Sequence, residues 1–108
     1  MMRRNMGESR FVWDDDKADT NFEKHGVTFD EAMEVFEDPN CANEKDERED
    51  HGEERWKAVG TTRDGNKTLV VVYSQRLENG EGTTRLISAW SVGDRGRRRY
   101  GYRGAKTE

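Results

Sequence analysis

The sequence predicts an α+β domain, a strand and a helical hairpin packed on a mainly antiparallel sheet. Three observations predict it. The N-terminal third carries two helix starts with their caps, Asp14 and Thr28. Behind the second cap, Phe29, Ala32, Met33 and Phe36 recur at i, i+3, i+4, i+7, one face of a helix. The C-terminal half carries β-branched runs separated by the turn signals Arg63-Asp64-Gly65-Asn66 and Asn79-Gly80. Helices followed by strands in this order form a helical layer on one face of a sheet.

The elements follow in order. Residues 1–9 show no apolar pattern and are expected to be flexible. Arg10-Phe11-Val12-Trp13 predicts a short edge strand. Asp14 caps a helix expected to reach about His25, with Asp15 and Asp16 at its positive end and Lys24 and His25 in its last turn. Gly26 stands where a left-handed C-cap belongs. Thr28-Phe29-Asp30-Glu31 is a capping box, and Asp38-Pro39 ends the second helix. Cys41 to Arg55 holds seven acids and three bases and predicts a loop, with a short edge strand at most around Ala42. Trp56–Thr62, Thr68–Ser74 and Thr83–Trp90 predict three strands. Leu69-Val70-Val71-Val72-Tyr73 is the central one, buried on both faces. Ser91 to Gly104 is basic and interrupted by Gly93, Gly96 and Gly101, which leaves room only for a short C-terminal helix. The expected organisation is one domain over 1–108, with its core in 11–90 and a basic segment in 91–108.

The chain has 108 residues, 39% charged and 31% hydrophobic, so its core is thin and a steadying partner is expected. The net charge of −4 conceals a division. Residues 1–55 carry 18 acids and 8 bases; residues 56–108 carry 5 acids and 11 bases. Such asymmetry points to a polyanion or charged-protein partner, or to a solvated surface. No run approaches the ~20 apolar residues of a membrane span. The basic N-terminus lacks the apolar run of a signal peptide. Cys41, the single cysteine, excludes an intrachain disulfide. A cytoplasmic location is therefore expected.

Several residues carry chemistry. A histidine at a helix C-terminus, as His25 is, gains from the helix dipole alone, or it acts as a general acid or base. Lys24 beside it would stabilise charge developing on a phosphate. Arg63, Arg76 and Arg85 are either solvated sheet charges or forks for a nucleic-acid backbone. Arg85 alternates with Ile87 and Ala89 and is expected to share their face. Trp56, Tyr73 and Trp90 offer stacking faces for unpaired bases, or fill the thin core. The run from Arg95 to Gly104 is similar to flexible Arg/Gly segments that touch RNA. His25, Cys41 and His51 match no zinc spacing, and no metal or cofactor is expected.

Phe11-Val12-Trp13-Asp14, Lys17, Asn21, Lys24-His25-Gly26-Val27, Phe29, Ala32, Phe36 and Asp38-Pro39 resemble the start of the BrnT toxin family. Gly52-Glu53-Glu54-Arg55, Gly60, Val71-Val72-Tyr73 and Arg85-Leu86-Ile87-Ser88-Ala89 extend the resemblance colinearly over residues 11–90. It implies the toxin of a type II toxin–antitoxin pair, with a RelE-like fold, acting as a metal-independent endoribonuclease that arrests translation. It implies a BrnA-like ribbon-helix-helix antitoxin that covers the toxin, binds operator DNA in the complex and assembles with it as a heterotetramer. RNA brings its own nucleophile, the 2′-hydroxyl, so the enzyme needs a base, an acid and cations. On this resemblance Lys24, His25, Glu54, Arg55 and Arg85 form the catalytic set, with Glu54 a base or an orienter of Arg55. Arg63, Tyr73 and Arg76 contact RNA. Trp90 departs from the family, which has a basic residue there, and glycines interrupt a C-terminal helix that the family keeps charged. These departures leave open a catalytically degenerate module that binds nucleic acid or antitoxin.

Overall fold

Asp14, Gly26 and Thr28 cut the N-terminal third into two helices as their chemistry requires. The computed structural model describes residues 2–6, 9–50, 53–78 and 80–103. In α1 (Asp15–His25) the Asp14 carboxylate accepts from the backbone N–H of Asp16 at 2.9 Å and of Lys17 at 3.3 Å. Gly26 ends the helix at φ 69°, where a Cβ would be strained, and donates its N–H to Phe22 O. In α2 (Phe29–Glu34) the Thr28 hydroxyl accepts from Glu31 N while Glu31 accepts from Thr28 N, and a 3-10 turn, Val35–Glu37, follows.

The strands are β1 (Met2–Met6), β2 (Ser9–Trp13), β3 (Ala42–Asp50), β4 (Glu53–Thr61), β5 (Thr68–Glu78) and β6 (Glu81–Ser91). They form one sheet in the order β1-β2-β6-β5-β4-β3. Neighbours run antiparallel except β2 and β6, which are parallel and pair at Phe11–Thr84 and Val12–Arg85. Alternation along β5 divides the core. Leu69, Val71 and Tyr73 face the helical hairpin with Phe11, Phe29 and Ala32. Val70 faces the other way with Val59 and Tyr102. The residues on either side of a third helix, α3 (Asp94–Arg99), cover that second face through Val92, Tyr100 and Tyr102.

Tyr102 fastens this cover. Its hydroxyl donates to the Asp38 carboxylate, lies 2.6 Å from Thr61 Oγ1, and shares Asp38 Oδ2 with the Thr61 N–H at 2.8 Å. Burial, then the bond to Asp38, pushes the Tyr102 phenol up to about 12. Gly96 serves α3 rather than interrupting it. A Cβ there would lie 2.6 Å from Val92 Cβ, so only glycine lets the first turn close over that residue.

The expected fold class and the short C-terminal helix are present, with four differences of detail. Met2–Met6, expected to be flexible, pairs with β2, which makes β2 an interior strand instead of an edge. The acidic segment expected to be a loop forms β3 and the start of β4, paired from Ala42–Val59 to Asp46–Arg55. A charged edge strand is stabilised by its backbone ladder while Asn43, Glu44, Lys45 and Glu47 stay exposed; Asp46, opposite Arg55, is buried. The β5–β6 register skips one residue: Val72 lies opposite Ser88 and Tyr73 opposite Leu86, so Ile87 is the extra residue of a bulge. Leu86 and Ala89 therefore both face the helices, and Arg85 lies on the opposite face instead of sharing that of Ala89. His51, Gly52, Asn79 and Gly104 lie outside the described residues. Among the described residues no helix is long and apolar enough to cross a membrane.

Where β2 leaves β6, α1 takes its place. Buried Asn21 donates Nδ2 to Ala89 O at 2.9 Å and to Val27 O at 3.1 Å, and accepts from Ala89 N at 3.0 Å. Removing this amide strands buried backbone groups at about 1–3 kcal/mol each. Asn21→Ala is expected to cost about 2–4 kcal/mol in denaturant unfolding, and Asn21→Asp, which keeps the acceptor and loses the donor, is expected to be destabilised as well. A loss below about 1 kcal/mol for Asn21→Ala would mean that packing alone holds α1 to β6.

Candidate functional site

The clamp at Asn21 orients one stripe of α1. Lys17, Asn21 and Lys24 stand at i, i+4 and i+7, so the two lysines flank the amide along β6. Three strands supply the other groups. Glu53 and Arg55 share a face of β4, Ser74 and Arg76 share a face of β5, and the register sets Ser74 opposite Arg85 of β6. These side chains converge on a cleft of about 530 Å³ lined by Lys17, Glu53, Glu54, Arg55, Trp56, Gln75, Arg76 and Arg85.

Glu53 is its centre. The Ser74 hydroxyl donates to Glu53 Oε2 at 2.7 Å, Arg85 Nη1 approaches the same oxygen at 3.3 Å, and Arg76 Nη2 lies at 3.9 Å. Partial burial opposes ionisation of this carboxyl. The Ser74 bond and the charges of Arg85, Arg76 and Arg55 outweigh it and hold Glu53 below the ordinary range. Glu54, the next residue along, belongs to the opposite parity. It lines the rim of the cleft with its carboxylate 3.5 Å from Lys45 Nζ and is largely exposed.

Lys17 also lines a second depression, which runs along α1 and β6 past Thr20, Asn21, Lys24, His25, Ile87 and Ser88. It continues to Trp90 and Ser91, where the His25 and Trp90 rings lie 6.1 Å apart and tilted by 44°. Cleft and trough thus form a continuous path.

Of the site residues predicted from sequence, Glu54, Arg55, Arg76 and Arg85 meet in the cleft, and Lys24 and His25 lie in the adjoining trough. Two lie elsewhere. Arg63, in the β4–β5 turn, holds Glu37 through Nε at 2.9 Å and Nη2 at 2.7 Å, and its backbone N–H donates to Glu34. Tyr73 is buried on the helical face, its ring edge-on to Phe36 at 5.1 Å and its hydroxyl donating to Asn43 at 2.6 Å. Sequence reasoning passed over Glu53, Ser74 and Lys17 as site residues. The spacing of Lys17, Asn21 and Lys24 on one helix face could have identified Lys17. Separating Glu53 from Glu54 requires the strand parity.

A small α+β protein with four cations around one fixed carboxylate belongs chemically with proteins that handle phosphate esters. A family model described as the ribonuclease toxin BrnT of type II toxin–antitoxin systems matches residues 13–94. The chain belongs to this family, which makes it a ribonuclease-class toxin whose system supplies an antitoxin. The search of curated proteins found no match.

The lowered pKa of Glu53 has a consequence for stability. A carboxyl whose folded pKa lies below its unfolded value of 4.5 contributes stability above that value and loses it as pH falls through the folded pKa. Denaturant midpoints measured from about pH 6 down to about pH 3 should fall more steeply for the wild type than for Glu53→Gln. Parallel curves would show that the cations around Glu53 do not favour its charge.

Proposed function

We propose that this toxin cuts RNA in the cleft around Glu53 and Arg85, without a metal, and so inhibits translation. The observation that carries the reading is the Glu53 carboxylate held between Ser74 and Arg85 in a cleft with Lys17, Arg55 and Arg76. The RNA 2′-oxygen attacks the adjacent phosphorus, forming the O2′–P bond as the P–O5′ bond breaks. Glu53, ionised at neutral pH, takes the proton from the 2′-hydroxyl. The Lys17 ammonium gives one to the departing 5′-oxygen. The products are a 2′,3′-cyclic phosphate and a 5′-hydroxyl end. Arg55, Arg76 and Arg85 stabilise the charge that grows on the phosphoryl oxygens. Glu53 replaces Glu54 as the base because it is the carboxylate among the cations. Lys24 and His25 act on the RNA next to the cut, along the trough. Exposed Arg95, Arg98 and Arg99 extend the basic surface on the sheet face that carries the cleft.

Trp90 stands on the trough rather than in the cleft, so its departure from the family pattern leaves the cleft's charges in place. The partner in this reading is a BrnA-like ribbon-helix-helix antitoxin in the cytoplasm, which carries the toxin to operator DNA within a heterotetramer. Family membership supports that assignment.

Cleavage of a structured RNA should survive EDTA. Glu53→Gln and Arg85→Ala should each lower kcat by about 10²–10⁴-fold, against less than about 10-fold for Glu54→Gln. Wild-type cleavage by Glu53→Gln, or cleavage abolished by EDTA, would overturn the mechanism. Near-wild-type cleavage by Glu53→Gln together with a loss of about 10²-fold or more in His25→Ala would move proton transfer to the trough.

A further inference from the structure

We infer that the far end of the trough is a stacking site for one unpaired nucleobase, built by Trp90 and His25. This rests on the proposal that RNA occupies the cleft, and it adds a requirement: the RNA is single-stranded beyond the cut. The rings of His25 and Trp90 touch at 6.1 Å with a 44° tilt, which leaves no slot between them, so a base lies on the open side of the pair. Lys24 lines the same depression and supplies a charge for the phosphate attached to that base. Ser88 and Ser91 bring hydroxyl groups that can hydrogen-bond a base edge.

The alternative role for Trp90 is to pack against the Val59–Val70–Tyr102 cluster, which it also does. Packing alone leaves unexplained why an indole and an imidazole meet beside a lysine on a surface continuous with the cationic cleft. Five residue steps along β6 take Arg85 to Trp90, about 16 Å at strand spacing before the bulge shortens it. That exceeds the ~3.4 Å step of one stacked nucleotide, so the stacked base belongs to a nucleotide beyond the one that is cut. A duplex already stacks both faces of its bases and has none to offer.

The test uses the full chain and a 2′-O-methyl RNA oligonucleotide, which lacks the nucleophile and is not cut. Binding is followed by fluorescence anisotropy while a single abasic nucleotide is moved along the strand. One position should weaken binding about 5- to 140-fold, the worth of one base–aromatic stack. Trp90→Leu should weaken binding of the intact oligonucleotide by a similar factor and erase the penalty at that position. Trp90→Phe should keep most of it. If Trp90→Leu fails to fold, His25→Ala decides, because that side chain is exposed, and it should reduce the same penalty. No sensitive position, or a penalty indifferent to both residues, overturns the site even where RNA is cleaved normally. A Trp90-dependent penalty in a protein that cuts no RNA would keep the site and remove the ribonuclease mechanism.

Discussion

An asparagine amide takes the place of a missing strand, and the geometry of the cleft and trough depends on it. β2 lies beside β6 at Phe11 and Val12 and then turns into α1, which would leave the N–H and C=O of Ala89 unpaired in the core. Asn21 offers both a donor and an acceptor in one plane, as a neighbouring peptide would. A carboxylate has no donor and a hydroxyl is too short to pair both groups, so the requirement is narrow. Because α1 is rigid, fixing one of its residues against β6 fixes the rest. Lys17 is held beside Arg85 and Lys24 beside Ser88, about two helical turns apart.

The charge division of the chain acquires a physical meaning in this frame. Near the β4–β5 turn the two signs neutralise each other: Arg63 grips Glu37, Lys67 lies 2.8 Å from Glu31, and both carboxyls are held below their ordinary range. At the other end of the sheet Lys17, Arg55, Arg76 and Arg85 gather around Glu53 and Glu54. Basic residues of the second half thus serve two ends of the sheet, one closed by acids of the first half and one left with an excess of cations. The second is the end that can accept a polyanion.

Much of this was legible in the sequence where local chemistry decides. The Asp14 and Thr28 caps, the Gly26 stop and the β-branched run from Leu69 to Tyr73 work through groups a few residues apart, and each is found as expected. The acidic β3 was not legible. Its residues alternate neither in polarity nor in bulk, and it is a strand because β4 offers it a ladder. The choice between Glu53 and Glu54 was hidden for a related reason. Strand parity decides which carboxylate joins the arginines, and parity follows from the Trp56–Tyr73 register, a long-range fact. The same register turns Tyr73 into the core. The bulge at Ile87 is subtler still, since it sends Leu86 and Ala89 to one face across an odd spacing that no alternation rule predicts.

That bulge explains how one strand can serve two kinds of chemistry. Without it, strict alternation would carry the parity of Arg85 through Ile87 to Ala89 and the parity of Leu86 through Ser88 to Trp90. Leu86 faces the helices, so Trp90 would be turned toward them and away from the Val59–Val70–Tyr102 cluster. The extra residue resets the count. Arg85 stays beside Ser74 and Glu53, Ala89 turns its backbone edge to Asn21, and Trp90 comes to the face that Arg85 occupies, with its ring against His25. Bulges re-aim side chains at the cost of one ladder pair. Here the re-aiming lies between a cluster of fixed charges and an aromatic pair, and the helix clamped by Asn21 borders both. A chain of alternating phosphates and bases is a polymer that could use the two surfaces at once.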